Sequence, residues 1–407
     1  MLKWIRFMRL FKQIFGKNLP DLDWIEKQGL LAVKIGQTFA LRIDFLGEEK
    51  TTHLAKLYSR TTPIKQENFR SLLEGYTDKG WLDNFQKIED TPLGSASVGQ
   101  VHKARLKSGD DVVIKFIKSD FKKRFIKDVR SFRRFAKFII FFYRKLAKVA
   151  DPVGIIEHIE DYTLAELDLR NEITNGQVLK DIYEANKERF DFSRMAFPKI
   201  YENLSNEHVL VSEYLHGDTV DDMLDANALP YKDVLEIFHI QGFYIFIIGT
   251  FHGDIHPGNL IYQNNKYYFI DTGALSTVGN KIRNGLYQFM KKLSVYDYEG
   301  CAHALNDMAD QELHGESFET YKAKLIDLYK DFKGKTVTEI SLTKKMMQTI
   351  KLGVHSGMVF EKGMYPIIKS MMYLDGIVLK GNPDAVLMED MRRFIAEFDS
   401  AEKAVVR

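Results

Sequence analysis

The chain has 407 residues, 45% apolar and 28% charged, the proportions of a globular protein with enough sequence for two or three domains. Nine prolines and no Gly/Ser-, Gln- or Pro-rich tract exclude a disordered or collagen-like chain, and 58 basic against 56 acidic residues give no whole-chain attraction to nucleic acid. The one cysteine, Cys301, excludes an internal disulfide, a thiolate zinc cluster and an iron–sulfur site, and fits a reducing, cytosol-facing location.

Residues 1–84 read as helices, with Leu30 to Leu41 and Glu48 to Tyr58 the clearest. In the first of them Trp4, Met8, Phe11 and Phe15 recur at helical spacing, and Lys3, Arg6, Arg9 and Lys12 fall elsewhere; these charges interrupt the apolar stretch that a secretory signal needs. Short β-like runs follow at Phe85–Ile88, Val98–Arg105 and Asp111–Ile117, the last two joined by the hairpin turn Lys107 to Asp110. Helices return at 118–150 and 154–190, then a strand-like run at His208–Ser212 and an apolar helix at 231–250. Two more β runs, Leu260–Tyr262 and Tyr267–Ile270, flank the turn Gln263 to Lys266, and from about Asn280 onward the pattern is helical. The expected order is a helical cap over 1–84, a small-sheet region over 85–216 and a mostly helical lobe over 217–407.

The longest uncharged apolar run, Ile237 to Gly253, is about 17 residues, the lower limit for a membrane span. A buried core helix explains it better, and no transmembrane span is expected. Two stretches could still meet a membrane surface: the N-terminal helix, and Lys118 to Lys148 with twelve Lys/Arg against Asp120 and Asp128. In the second, Phe121, Phe125, Val129, Phe132, Ala136 and Ile139 share one helical face. Such a helix either adsorbs to anionic lipid or docks on the protein by its Phe stripe, the ordinary state of a surface helix.

Leu93 to Val101 reads Leu-Gly-Ser-Ala-Ser-Val-Gly-Gln-Val between two strand candidates. Gly94, Ser95, Ala96, Ser97 and Gly99 are small enough for a hairpin backbone to approach phosphate oxygens, and the spacing is that of a Gly-rich kinase loop with Ala96 at the central glycine. Lys115 follows inside the apolar strand Val112 to Ile117, where burial demands an anionic partner. It stands where a kinase lysine grips the α- and β-phosphates. Of the carboxylates in the helical stretch Ala165 to Asn175, Glu172 is the expected answer to it. Phe251 to Leu260, Phe-His-Gly-Asp-Ile-His-Pro-Gly-Asn-Leu, carries Asp254 and Asn259 at the Asp-x-x-x-x-Asn spacing of a kinase catalytic loop. Asp271 follows a β run, in the place of a metal-binding aspartate. Asn259 and Asp271 offer hard oxygens to Mg²⁺, and Asp254 can orient or deprotonate an attacking hydroxyl or water. His252, Asp254 and His256 alternate and could instead be read as a transition-metal site, which would leave Asn259 and Asp271 unexplained.

These residues resemble the UbiB/AarF-type atypical protein-kinase-like family, whose mitochondrial members support coenzyme Q synthesis. Its hallmarks are matched by Lys34, Gly36 and Gln37 (Lys-x-Gly-Gln), by Ala96 within Gly94–Gly99, and by Glu166 with Asp168 (Glu-x-Asp). The resemblance runs from about Leu31 through Ala274. The loop His252 to Asn259 alone is also similar to small-molecule kinases of the aminoglycoside/choline kinase kind, which lack the first two hallmarks. The family resemblance implies an α+β, bilobal protein-kinase-like fold: a small antiparallel sheet lobe, a helical C-lobe and an N-terminal helical extension covering the protein-substrate entrance. It implies ATP or ADP with Mg²⁺ as cofactors, Lys34 reaching the site near Glu166 and Asp168, and Gln37 lining it. It further implies a hinge at Glu213-Tyr214-Leu215 whose backbone binds adenine, with Val101 packed on the base. The activity implied is ATP hydrolysis or phosphorylation of a small or lipid-like substrate at a membrane surface, in aid of quinone synthesis. The implied partners are adenine nucleotide, an anionic membrane surface and quinone-biosynthesis proteins, with no nucleic acid. A nucleotide-gated scaffold with little catalysis, or a small-molecule kinase, are the rival functions. The chain departs from the family pattern at Thr272, usually phenylalanine, and at Gly253, often alanine. The C-terminal membrane helices of some bacterial members find no counterpart, so membrane contact is expected to be peripheral.

Overall fold

The computed structural model describes residues 2–40, 46–57, 64, 66–118, 121–142, 152–360 and 364–405. Leu41, Tyr58 and residues 143–150, parts of three expected helices, lie outside the described residues. The chain forms two compact units: Met1–Thr174 with Pro198–Tyr214, and Asn175–Phe197 with Leu215–Arg407. In chain order the strands are β1 (Phe85–Ser95), β2 (Gly99–Leu106), β3 (Asp111–Ile117), β4 (Met195–Ala196), β5 (Val209–Glu213), β6 (Asp218–Thr219), β7 (Thr250–His252), β8 (Leu260–Gln263), β9 (Lys266–Phe269) and β10 (Leu275–Thr277).

The first unit holds an antiparallel sheet of order β1-β2-β3-β5. Side chains alternate along β3: Val112, Ile114 and Phe116 are wholly buried against Phe69, Leu73 and Trp81, which leaves Lys115 on the opposite face. β1 runs seven residues past the expected Ile88 because it is an edge strand. There Pro92 costs no ladder bond, and register shifts at Ile88/Pro92 and Pro92/Gly94 absorb the irregular sequence.

A separate core in this unit joins the helices Leu2–Phe15, Leu22–Gln28, Leu30–Ala40 and Glu48–Ala55 with Phe121–Phe142 and Pro152–Glu166. The Phe stripe of the basic helix is spent here: Phe125, Val129, Phe132 and Ala136 are buried, each large one contributing about 1.5–3 kcal/mol. Docking by that stripe, rather than adsorption, is what its amphipathicity serves. Of the four spaced apolar residues of the N-terminal helix, Trp4 and Phe11 pack partly buried against this core, beside a more deeply buried set. Phe7, Leu10 and Ile14 are buried, whereas Met8 is 61% and Phe15 42% exposed. Apolar residues cover more than half of this helix, so periodicity alone could not choose the face that meets Phe132 and Phe135. Gly36 lets the helix Leu30–Ala40 approach its neighbour: a Cβ there would lie 2.5 Å from Leu57 Cδ1. The expected helix 154–190 is interrupted at Leu167–Leu169, where Asp168 accepts from the Arg170 backbone N–H at 3.1 Å and starts the helix Arg170–Asn186.

In the second unit β4-β9-β8-β6 form one small sheet, with β4 parallel to β9, and β7 pairs with β10. Asn264 and Asn265, at φ 51° and 62°, make the two-residue turn between β8 and β9 that tightens the expected four-residue one. The apolar run forms the α-helix Tyr231–Gly242 and the π-helix Phe243–Ile248, ended by Gly249 at φ 81°. Ile237, Ile240, Phe243 and Ile245 are buried in the main core of this unit, as a core helix requires. No helix among the described residues is long and apolar enough to cross a membrane. The remaining helices include Asn280–Ser294, Tyr298–Met308, Gly315–Tyr329, Leu342–Ser356, Met364–Gly381 and Arg392–Val405; Cys301 is buried among them, and burial pushes its thiol pKa up.

Candidate functional site

The site residues expected from the sequence fall into one group in each unit. In the first unit the hairpin Gly94 to Val101 is closed by two backbone bonds, Ala96 N–H to the Gly99 carbonyl and Lys118 N–H to the Val98 carbonyl, both at 2.8 Å. Gly94 pairs with Val101 and Ser95 with Gln100, leaving Ala96, Ser97 and Val98 at the tip. Val98 is anchored in a small core with Ile117, Leu167, Leu169 and Leu210. At Gly99 a Cβ would touch the Phe116 carbonyl at 3.4 Å, so a small residue lets β2 run close beside β3.

Lys115 Nζ meets Glu172 Oε2 at 2.7 Å, with side chains 19% and 11% exposed. The answering carboxylate is the expected one, and it stands in the first turn of the helix Arg170–Asn186, where the helix dipole favours negative charge. Lys34, 6% exposed, pairs with Glu166 and lies 5.4 Å from the centre of the Tyr162 ring. Asp168 turns elsewhere: Arg170 Nε and Nη2 donate to its two oxygens at 2.9 and 2.6 Å, and this pairing holds its carboxyl below the ordinary range. Glu166 closes one helix and Asp168 sits in the break after it, so two residues of one motif take different cations. Gln37 Nε2 donates to the Leu57 carbonyl at 3.0 Å, a bond that ties the extension together. At the expected hinge, the N–H groups of Glu213 and Tyr214 are already donated to the carbonyls of Lys199 and Asp111. Lys103 Nζ lies 3.9 Å from the Tyr214 ring centre. Leu215, the third hinge residue, belongs to the second unit and is buried.

Sequence reasoning passed over Gln100 and His102, each 1% exposed. The Glu89 carbonyl can only accept, so His102 Nδ1 carries the proton at 2.7 Å and Nε2 accepts from Gln100 Nε2 at 2.8 Å. Gln100 Oε1 in turn takes the Ile64 N–H, and the His102 ring stacks on Phe69 at 4.3 Å. Burial lowers the His102 pKa.

In the second unit the loop after β7 is built on backbone bonds. Gly253 N–H donates to the Ala274 carbonyl at 2.6 Å, His256 N–H to Asp254 at 2.7 Å and Ile270 N–H to Asn259 at 3.0 Å. His252 is fully enclosed; its Nε2 donates to the Ile270 carbonyl at 3.0 Å and its Nδ1 accepts the Asp254 N–H at 3.1 Å. His256 Nδ1 accepts the Gly258 N–H. Both nitrogens of His252 are thus consumed by backbone, and no group of three or more His, Cys, Asp or Glu among the described residues is placed to hold a metal. The transition-metal reading of this loop fails on that chemistry. Asn259 Nδ2 donates to the Asp254 carbonyl at 3.0 Å, fixing the amide with Oδ1 as its remaining acceptor. Asp271 is exposed and held at φ 53°, a left-handed conformation costly for a residue with a Cβ. Asn259 and Asp271 each offer a hard oxygen, the donor type that suits Mg²⁺.

Both family departures have local reasons. A Cβ at Gly253 would lie 2.3 Å from Ser276 Oγ, so this chain has no room for alanine. Thr272 is buried with its Oγ1 3.1 Å from where a Gly176 Cβ would be, and Asn175 Nδ2 donates to the Gly273 carbonyl at 3.1 Å. Sequence reasoning also missed Lys369, whose Nζ stands 2.9 Å from Asp254 Oδ1. Its signal was the one that marked Lys115, a lysine inside an apolar run.

Residues 56–305, which include the Gly-rich hairpin, Lys115, Glu172, Asp254, Asn259 and Asp271, match the ABC1 atypical kinase-like domain. The chain belongs to that family. Relatives named "Probable protein kinase UbiB" include one from Aliivibrio fischeri (strain MJ11), 26% identical over 386 residues, 91% of this chain and 68% of the relative. Another, from Vibrio parahaemolyticus serotype O3:K6, is 26% identical over 389 residues, 92% of this chain and 69% of the relative. A solved structure from Mycobacterium tuberculosis, titled as the complex of Rv3197 with erythromycin, is similar across 96% of both chains at 18% identity and a TM-score of 0.54. The fold is therefore α+β and kinase-like, as expected from the motifs.

Proposed function

We propose that this ABC1-family chain binds a magnesium adenine nucleotide and transfers or hydrolyses its terminal phosphoryl group, acting at an anionic membrane surface in support of ubiquinone synthesis. The observation that carries the reading is the Lys115–Glu172 pair at 2.7 Å, the arrangement a phosphate-gripping lysine needs to be fixed before nucleotide arrives. The hairpin Gly94–Gly99 would cradle phosphates with backbone N–H groups, and Val101 would pack on the base. At the hinge the Glu213 and Tyr214 N–H groups are taken, so adenine would use the carbonyls and the Leu215 N–H. Asn259 and Asp271 would hold Mg²⁺. When bound, the ion would supply positive charge against the phosphates. Asp254 would orient the attacking hydroxyl of water or an alcohol and take up its proton as its oxygen bonds to phosphorus and the bond to the leaving ADP oxygen breaks, a role worth about 10²–10⁴-fold. Lys34 with Glu166, and Gln37 behind them, would restrict what else enters; Asp168 would act through Arg170.

The membrane part rests on the first unit. The helix Phe121–Phe142 buries its apolar stripe and exposes Lys122, Lys123, Lys127, Arg130, Arg134 and Lys137, while the N-terminal helix leaves Ile5 58% and Met8 61% exposed. Phosphate release from Mg-ATP, with and without anionic liposomes and quinone-like phenols, tests the whole. Asp254→Asn should retain nucleotide binding and lose turnover. Equal turnover in that variant would refute the assignment, and intact cellular function without hydrolysis would favour a nucleotide-gated scaffold.

A further inference from the structure

The loop Phe251 to Leu260 contains no lysine or arginine, yet its aspartate has an ammonium beside it. The ammonium comes from the helix Met364–Gly381 in the same unit, which touches the alternate loop residues His252, Asp254 and His256. Ser370 Oγ donates to the His252 carbonyl at 3.4 Å, Lys369 Nζ lies 2.9 Å from Asp254 Oδ1, and the Tyr373 ring meets the His256 ring edge-on at 5.4 Å. The Tyr373 hydroxyl also bonds the Asp254 side chain, and Lys369 lies 5.7 Å from the Tyr373 ring centre. Lys369 is only 9% exposed, and a lysine is not carried into an apolar helix without an anion to meet it.

Resting on the function proposed above, we propose that Lys369 and Tyr373 are positioning residues for phosphoryl transfer: they hold the Asp254 carboxylate in one orientation, and Lys369 supplies the positive charge the loop lacks. The physical reason is geometric. An aspartate has two rotatable side-chain bonds, and a misplacement of about 1 Å at the reacting oxygen can cost about 10²-fold. One helix supplying an ammonium and a hydroxyl at i and i+4 removes that freedom.

The test uses the full chain with Lys369→Met, Lys369→Arg, Tyr373→Phe, Asp254→Asn and the Lys369→Met/Asp254→Asn double variant. Phosphate release from Mg-ATP, calorimetric binding of Mg-nucleotide and the thermal midpoint are measured for each. Lys369→Met should keep its nucleotide Kd and lose about 10²-fold in kcat, with partial recovery in Lys369→Arg. Tyr373→Phe, which removes one hydroxyl and serves if Lys369→Met does not fold, should lose about fivefold in kcat. The double variant should be no slower than Asp254→Asn alone. Losses that multiply in the double variant, or a lowered midpoint with kcat of the folded protein unchanged, would overturn the proposal and leave an ordinary structural ion pair. A wild-type chain that neither binds nucleotide nor releases phosphate would bring down the functional reading and this proposal with it; an active wild type matched by both single variants brings down this proposal alone.

Discussion

Lys115 and Glu172 stand 57 positions apart in sequence and meet at 2.7 Å, the first on a strand and the second on the opening turn of a helix. The helix N-terminus already favours the Glu172 carboxylate, so the chain survives loss of the lysine better than an isolated buried pair would. Lys115→Met should therefore remain folded by circular dichroism while Mg-nucleotide affinity falls at least about tenfold by calorimetry, one phosphate contact being worth about 1.5–3 kcal/mol.

Gly253→Ala should destabilise the second unit. Its Cβ would lie 2.3 Å from Ser276 Oγ and 3.0 Å from the Ala274 carbonyl, and overpacking of this kind costs about 1–3 kcal/mol. Adding Ser276→Ala removes the nearer clash, so the double variant should regain part of the loss in urea denaturation.

Acid should unfold the chain through its enclosed histidines. Burial depresses the folded-state pKa of His252 and His102 below the usual value near 6.5. The unfolded chain then takes up protons that the folded one refuses, so their contribution is complete above pH about 6.5 and is lost as pH falls below it. The limiting slope is about 1.4 kcal/mol per pH unit for each histidine. Urea midpoints at pH 7.5 and 5.5 should differ, and His102→Gln should narrow the difference.

Binding to anionic liposomes should be sensitive to salt. The buried stripe of the helix Phe121–Phe142 is occupied inside the unit, so its outward face is mainly charged, with Phe138 the large apolar residue exposed there, and exposed charges are screened beyond about 8 Å at physiological ionic strength. Cosedimentation should weaken as salt rises and fall further when Lys122, Lys123 and Lys127 become Glu. Flotation indifferent to both changes would remove the electrostatic contact.

What the sequence made legible was chemistry tied to local spacing. Asp254, Asn259 and Asp271 could be picked out because two fall within one loop and the third follows a strand; Lys115 because a charge in the apolar run Val112 to Ile117 demands a partner. Glu172 followed from that demand. Illegible were relations set by distant packing. The choice of Phe7, Leu10 and Ile14 over Met8 and Phe15 depends on Phe132 and Phe135, which lie in another helix. Arg170 capturing Asp168 depends on a helix break that no proline or glycine announces. The left-handed backbone of Asp271 leaves no mark on composition at all.

The stretch that carries the family signature ends at residue 305, whereas the helix bearing Lys369, Ser370 and Tyr373 begins at Met364, and Lys34 and Gln37 precede residue 56. A protein trimmed to its recognisable motif would preserve every signature in the Asp254 loop and discard the scaffolding that grips it. Such a fragment would pass any test of sequence recognition and still lack the stiffness on which the proposed turnover would depend.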